Sequence, residues 1–246
     1  MENYEMTPDD IASTWFDLGQ PARSPVNPIW RFGGKDARIR VVPVVRKKKQ
    51  SDPNGLYIFC CIRGDEDERT LSPMYLGPCG LYENFTAKKV ENAWQYSKVY
   101  PQHVGADGNP NAEYFRWARQ GWSSPCAVRY PMGKENDGTE GYHWWDGQRL
   151  GKIDARKRIY VTLYAEKVVQ EPYFQWLKNV WEEVIKPEPK GTLYLMDFDA
   201  YEYGTMSFSQ VLNNPAKSMG HGFVLAMLLT NDAALQECEL HHNYEK

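Results

Sequence analysis

Hydrophobic and polar positions along the chain follow two periods, and the changes of period mark out the elements. Residues 37–45 (ARIRVVPVV) alternate and then turn apolar, and residues 56–62 (LYIFCCI) form a second apolar run. Between them, RKKKQSDPNG ends in a Pro-Asn-Gly turn signal, so the pair predicts an antiparallel β-hairpin with a polar tip. Pro43 puts the first strand at an edge. Helical spacing then takes over. Val90, Ala93, Trp94 and Ser97 share a face of a helix expected over 87–100, which Pro101 closes. A shorter helix over 111–121 carries Tyr114, Phe115 and Trp117. Residues 123–150 are rich in Gly and Pro and read as one long loop, a length that is often functional. Two strong helices follow. The first covers 153–170, with Tyr160, Leu163, Tyr164 and Val168 on one face. Pro172 opens the second, to about 185, with an apolar stripe of Phe174, Leu177, Trp181, Val184 and Ile185. Residues 192–198 predict a buried strand, and 207–212 and 218–229 two further helices. Residues 1–36 read as an irregular arm with one short helix over 9–18. The fold class is therefore α+β: a mostly helical domain over 37–246 with a small N-terminal antiparallel sheet.

Composition narrows the class. The chain has 246 residues, with 42% hydrophobic and 25% charged residues, close to a globular average and enough to bury a large core. The excess lies in the aromatics, 14% of the chain, which either fill cores or stack on bases and sugars. A net charge of −3 argues against a generic nucleic-acid binder but leaves room for one nucleotide in a pocket. The longest apolar run, 223–229, falls far short of the roughly 20 residues a bilayer needs, so no membrane partner is expected. No basic stretch ahead of an apolar one opens the chain, which predicts a cytoplasmic location. The five Cys form no C-x-x-C pair, so no zinc ribbon or disulfide framework is expected. The usual phosphate-loop, dinucleotide, zinc-protease and nucleophile-elbow patterns are absent, and neither metal nor cofactor is expected.

The densest chemistry lies over 71–100. Glu91 and Gln95 are spaced i, i+4, as are Trp94 and Lys98, so a helix there offers a carboxylate with an amide and an indole with a cation. The same spacing also fits an ordinary amphipathic helix with Glu91 in solvent. Leu71-Ser72-Pro73, then Val90-Glu91-Asn92-x-Trp94-Gln95-x-x-Lys98, resembles the signature of the NADAR superfamily, also called YbiA-like. Its members carry L-S-N-F and then V-E-H-x-[YFW]-Q-x-x-K at the start of a helix. The order continues through residues 127–134 (AVRYPMGK), Trp145-Asp146, the helix around 160–167 and Pro172, so the resemblance spans about 70–185. Asn92 stands where the family usually has His. Residues 135–143 look like an insertion, and 1–55 and 190–246 have no evident counterpart.

The resemblance implies a YbiA-like fold and an N-glycosidase that splits a C1′–N bond between ribose and a base-like nitrogen, in a nucleotide-like molecule or an ADP-ribose conjugate. On that reading Glu91 stabilises an oxocarbenium-like sugar or activates water. Trp94 or Trp145 supplies an aromatic wall, and Gln95 lies beside the carboxylate. Lys98 and Arg129 are the candidates for a 5′-phosphate, and Asp146 is a candidate second carboxylate, assisting the leaving group or holding ribose hydroxyls. Outside the resemblance, Asp197 and Asp199 follow the expected strand with both side chains on one face. They fit a metal pair, a structural role or a grip on sugar hydroxyls. His221 opens the last helix, whose N-terminus either receives a phosphate or is a capping loop. Three other functions fit the same sequence. One is a non-catalytic nucleotide or ADP-ribose binding module. Another is a viral nucleic-acid base-modification protein, which the basic run 46–49 would suit. The third is a structural protein whose aromatics are all core.

Overall fold

The computed structural model describes residues 38–44 and 52–239. The predicted helix over 9–18 and the basic tip at 46–49 lie outside them. The main sheet has three parallel strands, β1 (Ile39–Pro43), β2 (Gly55–Phe59) and β8 (Thr192–Asp197), in the order β1-β8-β2. The expected hairpin is thus corrected: β1 and β2 each pair with β8 and not with one another, in registers such as Val41↔Leu195 and Ile58↔Leu195. The cause lies in β8. Its six residues, TLYLMD, are all buried. A strand covered on both faces gains most as the centre of a parallel sheet, where its backbone pairs on both sides. The Asp52–Gly55 turn does form, with the Gly55 N–H donating to Asp52 O at 3.1 Å, but it only starts β2. Pro43 sits at the end of an edge strand, where its missing donor costs little.

Two small sheets complete the β-structure. β3 (Cys79–Gly80) pairs with β4 (Thr86–Ala87). β5 (Lys98–Val99), β6 (Tyr142–Trp145) and β7 (Gln148–Leu150) form an antiparallel sheet. The helix expected over 87–100 is cut to α1 (Val90–Gln95). Ser97 ends it: its hydroxyl donates back to Trp94 O at 2.7 Å, and its carbonyl accepts from Trp144 N at 2.8 Å, so the chain leaves as a strand. Residues 123–150 are not all loop, because β6 and β7 are a hairpin turned by Asp146-Gly147, both at positive φ.

The remaining helices follow their apolar stripes. α2 is Ala112–Ser123, capped by the Asn111 side chain, which accepts from Tyr114 N. α3 runs from Lys152–Ala155 through the π-helical Arg156–Val161 into Thr162–Val168. α4 comprises Pro172–Asn179 and Val180–Ile185, and α5 is Phe208–Leu212. α6 (His221–Thr230) is apolar nearly all round and packs on β1, β8 and α3. The core is therefore mixed α and β. The segment from 190 onward, without counterpart in the resemblance, supplies its central strand and its most buried helix. Among the described residues, no helix is long and apolar enough to cross a membrane.

Candidate active site

The parallel register brings the carboxyl ends of β1, β2 and β8 to one side of the sheet. In open α/β sheets ligands bind in the crevice outside those ends. A cavity of about 460 Å³ lies there. Cys61 and Ile62 reach it from beyond β2, and Asp197, Phe198 and Asp199 from the end of β8. Ile62 and Phe198 form an exposed apolar lip, with the Arg63 guanidinium 4.9 Å from the centre of the Phe198 ring.

Opposite the sheet, α1 supplies Glu91, Trp94 and Gln95, and the first residue of β5 supplies Lys98. The loop 71–73 docks on the start of α1, where Glu91 N donates to Pro73 O at 2.9 Å. That bond fixes the helix against Ser72, which also lines the cavity. Glu91 is 7% exposed. Its Oε1 accepts from Gln95 Nε2 at 2.9 Å, and no Lys, Arg or His lies within ion-pair distance among the described residues. Burial raises its proton affinity above the ordinary carboxylate range. The Gln95 hydrogen bond and the fields of Arg129 and His221 offset part of that rise. The carboxyl is thus buried and underpaired, as acid–base chemistry near neutrality requires.

The wall beside Glu91 is aromatic. Trp94 lines the cavity and stacks on His143, with ring centres 4.4 Å apart. His143 is buried, meets the Ser97 hydroxyl at 2.9 Å with Nδ1, and has its pKa pushed down to about 3, chiefly by desolvation. It backs the indole as a neutral ring. Tyr160, on the helical stripe read from the sequence, is part of the buried core and also lines the cavity from the π-helical turn of α3, a geometry frequent at functional sites. Burial holds its hydroxyl strongly protonated.

Arg129 reaches the cavity on a segment that Asn92 pins. Asn92 is 0% exposed. Its Nδ2 donates to the carbonyls of Gly121, Ser124 and Cys126, and its Oδ1 accepts from Val128 N at 2.8 Å. The residue that departs from the family pattern therefore positions Arg129 rather than facing a ligand. Arg129 Nη2 contacts both oxygens of Asp199 at 2.8 Å. Burial nevertheless raises the Asp199 proton affinity by more than Arg129 lowers it. Asp197 accepts from Gly222 N at 2.8 Å and Asp199 N at 3.2 Å, and lies 3.4 Å from His221 Nδ1. His221 Nε2 meets Cys60 O. Asp197 and His221 thus tie the ends of β2, β8 and the start of α6 together at the cavity floor. Among the described residues, no group of three His, Cys, Asp or Glu is arranged to hold a metal ion. The D-x-D pair is committed to these bonds instead.

Eight of the ten residues singled out in the sequence therefore meet in one cavity, and two do not. Asp146 is exposed at the tip of the β6–β7 hairpin, with φ +48°. Its role is the turn. Trp145 is buried edge-on against Tyr82, with ring centres 5.1 Å apart, and belongs to the core. The Asp-Gly pair between YHWW and QRL was the signal for that hairpin. Tyr160, Lys152, Arg156 and the lip residues were not singled out. Nothing local distinguishes them from ordinary core or surface positions. No family model, curated protein or solved structure matches this chain, so the case for its function rests on the cavity itself.

Proposed function

We propose that the chain is an N-glycosidase of the NADAR, YbiA-like type, hydrolysing the C1′–N bond of a nucleotide-like or ADP-ribosyl substrate. The observation that carries this reading is Glu91. It is a buried, underpaired carboxyl in a cavity that opens to solvent at the Ile62–Phe198 lip, beside an aromatic wall and within the field of Arg129. A ribose seated over Glu91 has its leaving nitrogen toward Trp94 and Tyr160. As the C1′–N bond breaks, its electron pair goes to nitrogen, and C1′ and the ring oxygen become positive. Ionised Glu91 stabilises that charge where little water screens it. Water then adds to C1′, forming the C1′–OH bond, and one of its protons passes by way of Glu91 to the departing nitrogen. Gln95 keeps Oε1 of Glu91 oriented, which leaves Oε2 for the reacting centre. The reaction itself calls for no oxidant or reductant.

The direct test is incubation of the purified protein with ribonucleosides, ribonucleotides and ADP-ribosylated guanosine, followed by chromatography of the free base and of the released ribosyl product. Time-dependent release of base in stoichiometry with a reducing sugar supports the proposal. Tight binding of these compounds without any release would make the cavity a binding module.

A further inference from the structure

Three basic side chains on the cavity wall sit beside carboxylates, whereas Arg63, Lys152 and Arg156 have none within ion-pair distance among the described residues, and Arg63 lies over the Phe198 ring instead. Lys98 faces Asp137 and Glu140, Arg129 faces Asp199, and His221 faces Asp197. Lys152 and Arg156, one helical turn apart on α3, line the same cavity. Arg156 is 4% exposed, a depth at which a guanidinium is costly unless its donors are used.

Its donors are only partly used. Nη1 reaches the carbonyls of Val211, Leu212 and Asn214, and Nη2 donates to Lys217 O at 2.8 Å. Lys152 Nζ donates to Pro215 O at 2.9 Å, so both cations are gathered at one loop. Ser218, the next residue of that loop, lines the cavity, and its hydroxyl has no partner among the described residues. A guanidinium carries five donors in a planar fork. The carbonyls occupy Nη1 and one hydrogen of Nη2. Nε–H has no partner among the described residues and Nη2 has one, so the guanidinium keeps donor capacity for an anion.

We propose that Lys152, Arg156 and Ser218 form an anion subsite that takes a phosphate group of the substrate. The role that the resemblance implied for Lys98 and Arg129 passes to this corner, because their charges are already balanced. The subsite rests on the glycosidase reading only for the sugar that carries the phosphate.

Calorimetric titration of ribose 5-phosphate and of ribose into the full chain tests it, with inorganic phosphate as a competitor. Wild type and E91Q should bind ribose 5-phosphate at least tenfold more tightly than ribose, with inorganic phosphate competing. K152A and R156K should each lose roughly tenfold in affinity for ribose 5-phosphate, the scale of a charge-assisted hydrogen bond, and leave ribose unchanged. Lys replaces Arg156 because a smaller side chain would also strip the loop carbonyls of a donor, and the exposed Lys152 serves as the independent variant. Equal affinity for the two sugars, no ribose 5-phosphate binding at millimolar concentration, or a phosphate preference that survives both substitutions would overturn the subsite. If the preference depends on the pair while no base is ever released, the subsite stands and the glycosidase reading falls. Glu91-dependent release of base with no phosphate preference is the reverse result.

Discussion

Glu91 sets the residue-scale chemistry. Burial favours its protonated form, so the folded chain binds that proton more tightly than the unfolded chain does. The stability this contributes is full below the unfolded value of 4.5 and is lost as pH rises through the higher folded value. On the proposed mechanism turnover has the opposite sign, because there the ionised form stabilises the sugar cation. The acid limb of kcat/KM should therefore rise tenfold per pH unit to a midpoint above 4.5, and a midpoint at or below 4.5 would count against Glu91. His143 behaves differently. Its pKa falls from 6.5 to about 3, so its neutral form stabilises the fold above pH 6.5, and that contribution is lost as pH drops toward 3. Imidazole NMR shifts should show His143 neutral at pH 5; a charged ring there would contradict the stacked arrangement with Trp94. Asn92→Ala removes four hydrogen bonds from a fully buried amide and should cost about 2–4 kcal/mol in chemical denaturation, raising KM through a loosened Arg129.

At the scale of elements, two turns carry opposite weights. Asp146 holds φ +48° at the hairpin tip, a conformation that Asn tolerates and a β-branched residue does not. Asp146→Asn should keep both turnover and melting temperature, whereas Asp146→Val should lower the melting temperature. A loss of turnover in Asp146→Asn would return that carboxylate to the site. Gly220 precedes α6, and a Cβ there would collide with the Asp197 carboxylate. Gly220→Ala should therefore reduce turnover by disturbing the tie between Asp197 and His221, with α6 itself retained in circular dichroism.

These elements also show what the sequence makes legible. α3 and α4 announce themselves because each buries a continuous stripe, and α6 because it is a continuous apolar run; both signals are local. The Glu91–Gln95 pair is equally local, and it meets in the structure as its spacing predicts. The pairing of β1 and β2 is not local: both strands find β8, which lies far along the chain, and no turn encodes that. Lys98 was expected on a helix with Trp94, yet it enters the cavity from a strand, because Ser97 spends its hydrogen bonds on Trp94 and Trp144. The Asp146-Gly147 turn is a local hairpin signal that the surrounding Gly- and Pro-rich stretch masks.

For the whole molecule, one geometric fact places the site. Three parallel strands end together, and α1 and the π-helical turn of α3 close the space beyond them. The aromatic excess divides accordingly. Trp94 and Tyr130 line the cavity, Tyr160 both lines it and packs in the core, and Trp145, Phe174, Trp181 and Tyr164 fill the core. The central claim, that a buried Glu91 carboxylate drives cleavage of a C1′–N bond, is tested most directly by base release from one substrate in wild type and E91Q, with melting temperatures measured on the same samples. The account predicts that E91Q loses about a thousandfold or more in turnover while melting at the same or a higher temperature, since an amide has no charge to bury. Full turnover by a folded E91Q would contradict it.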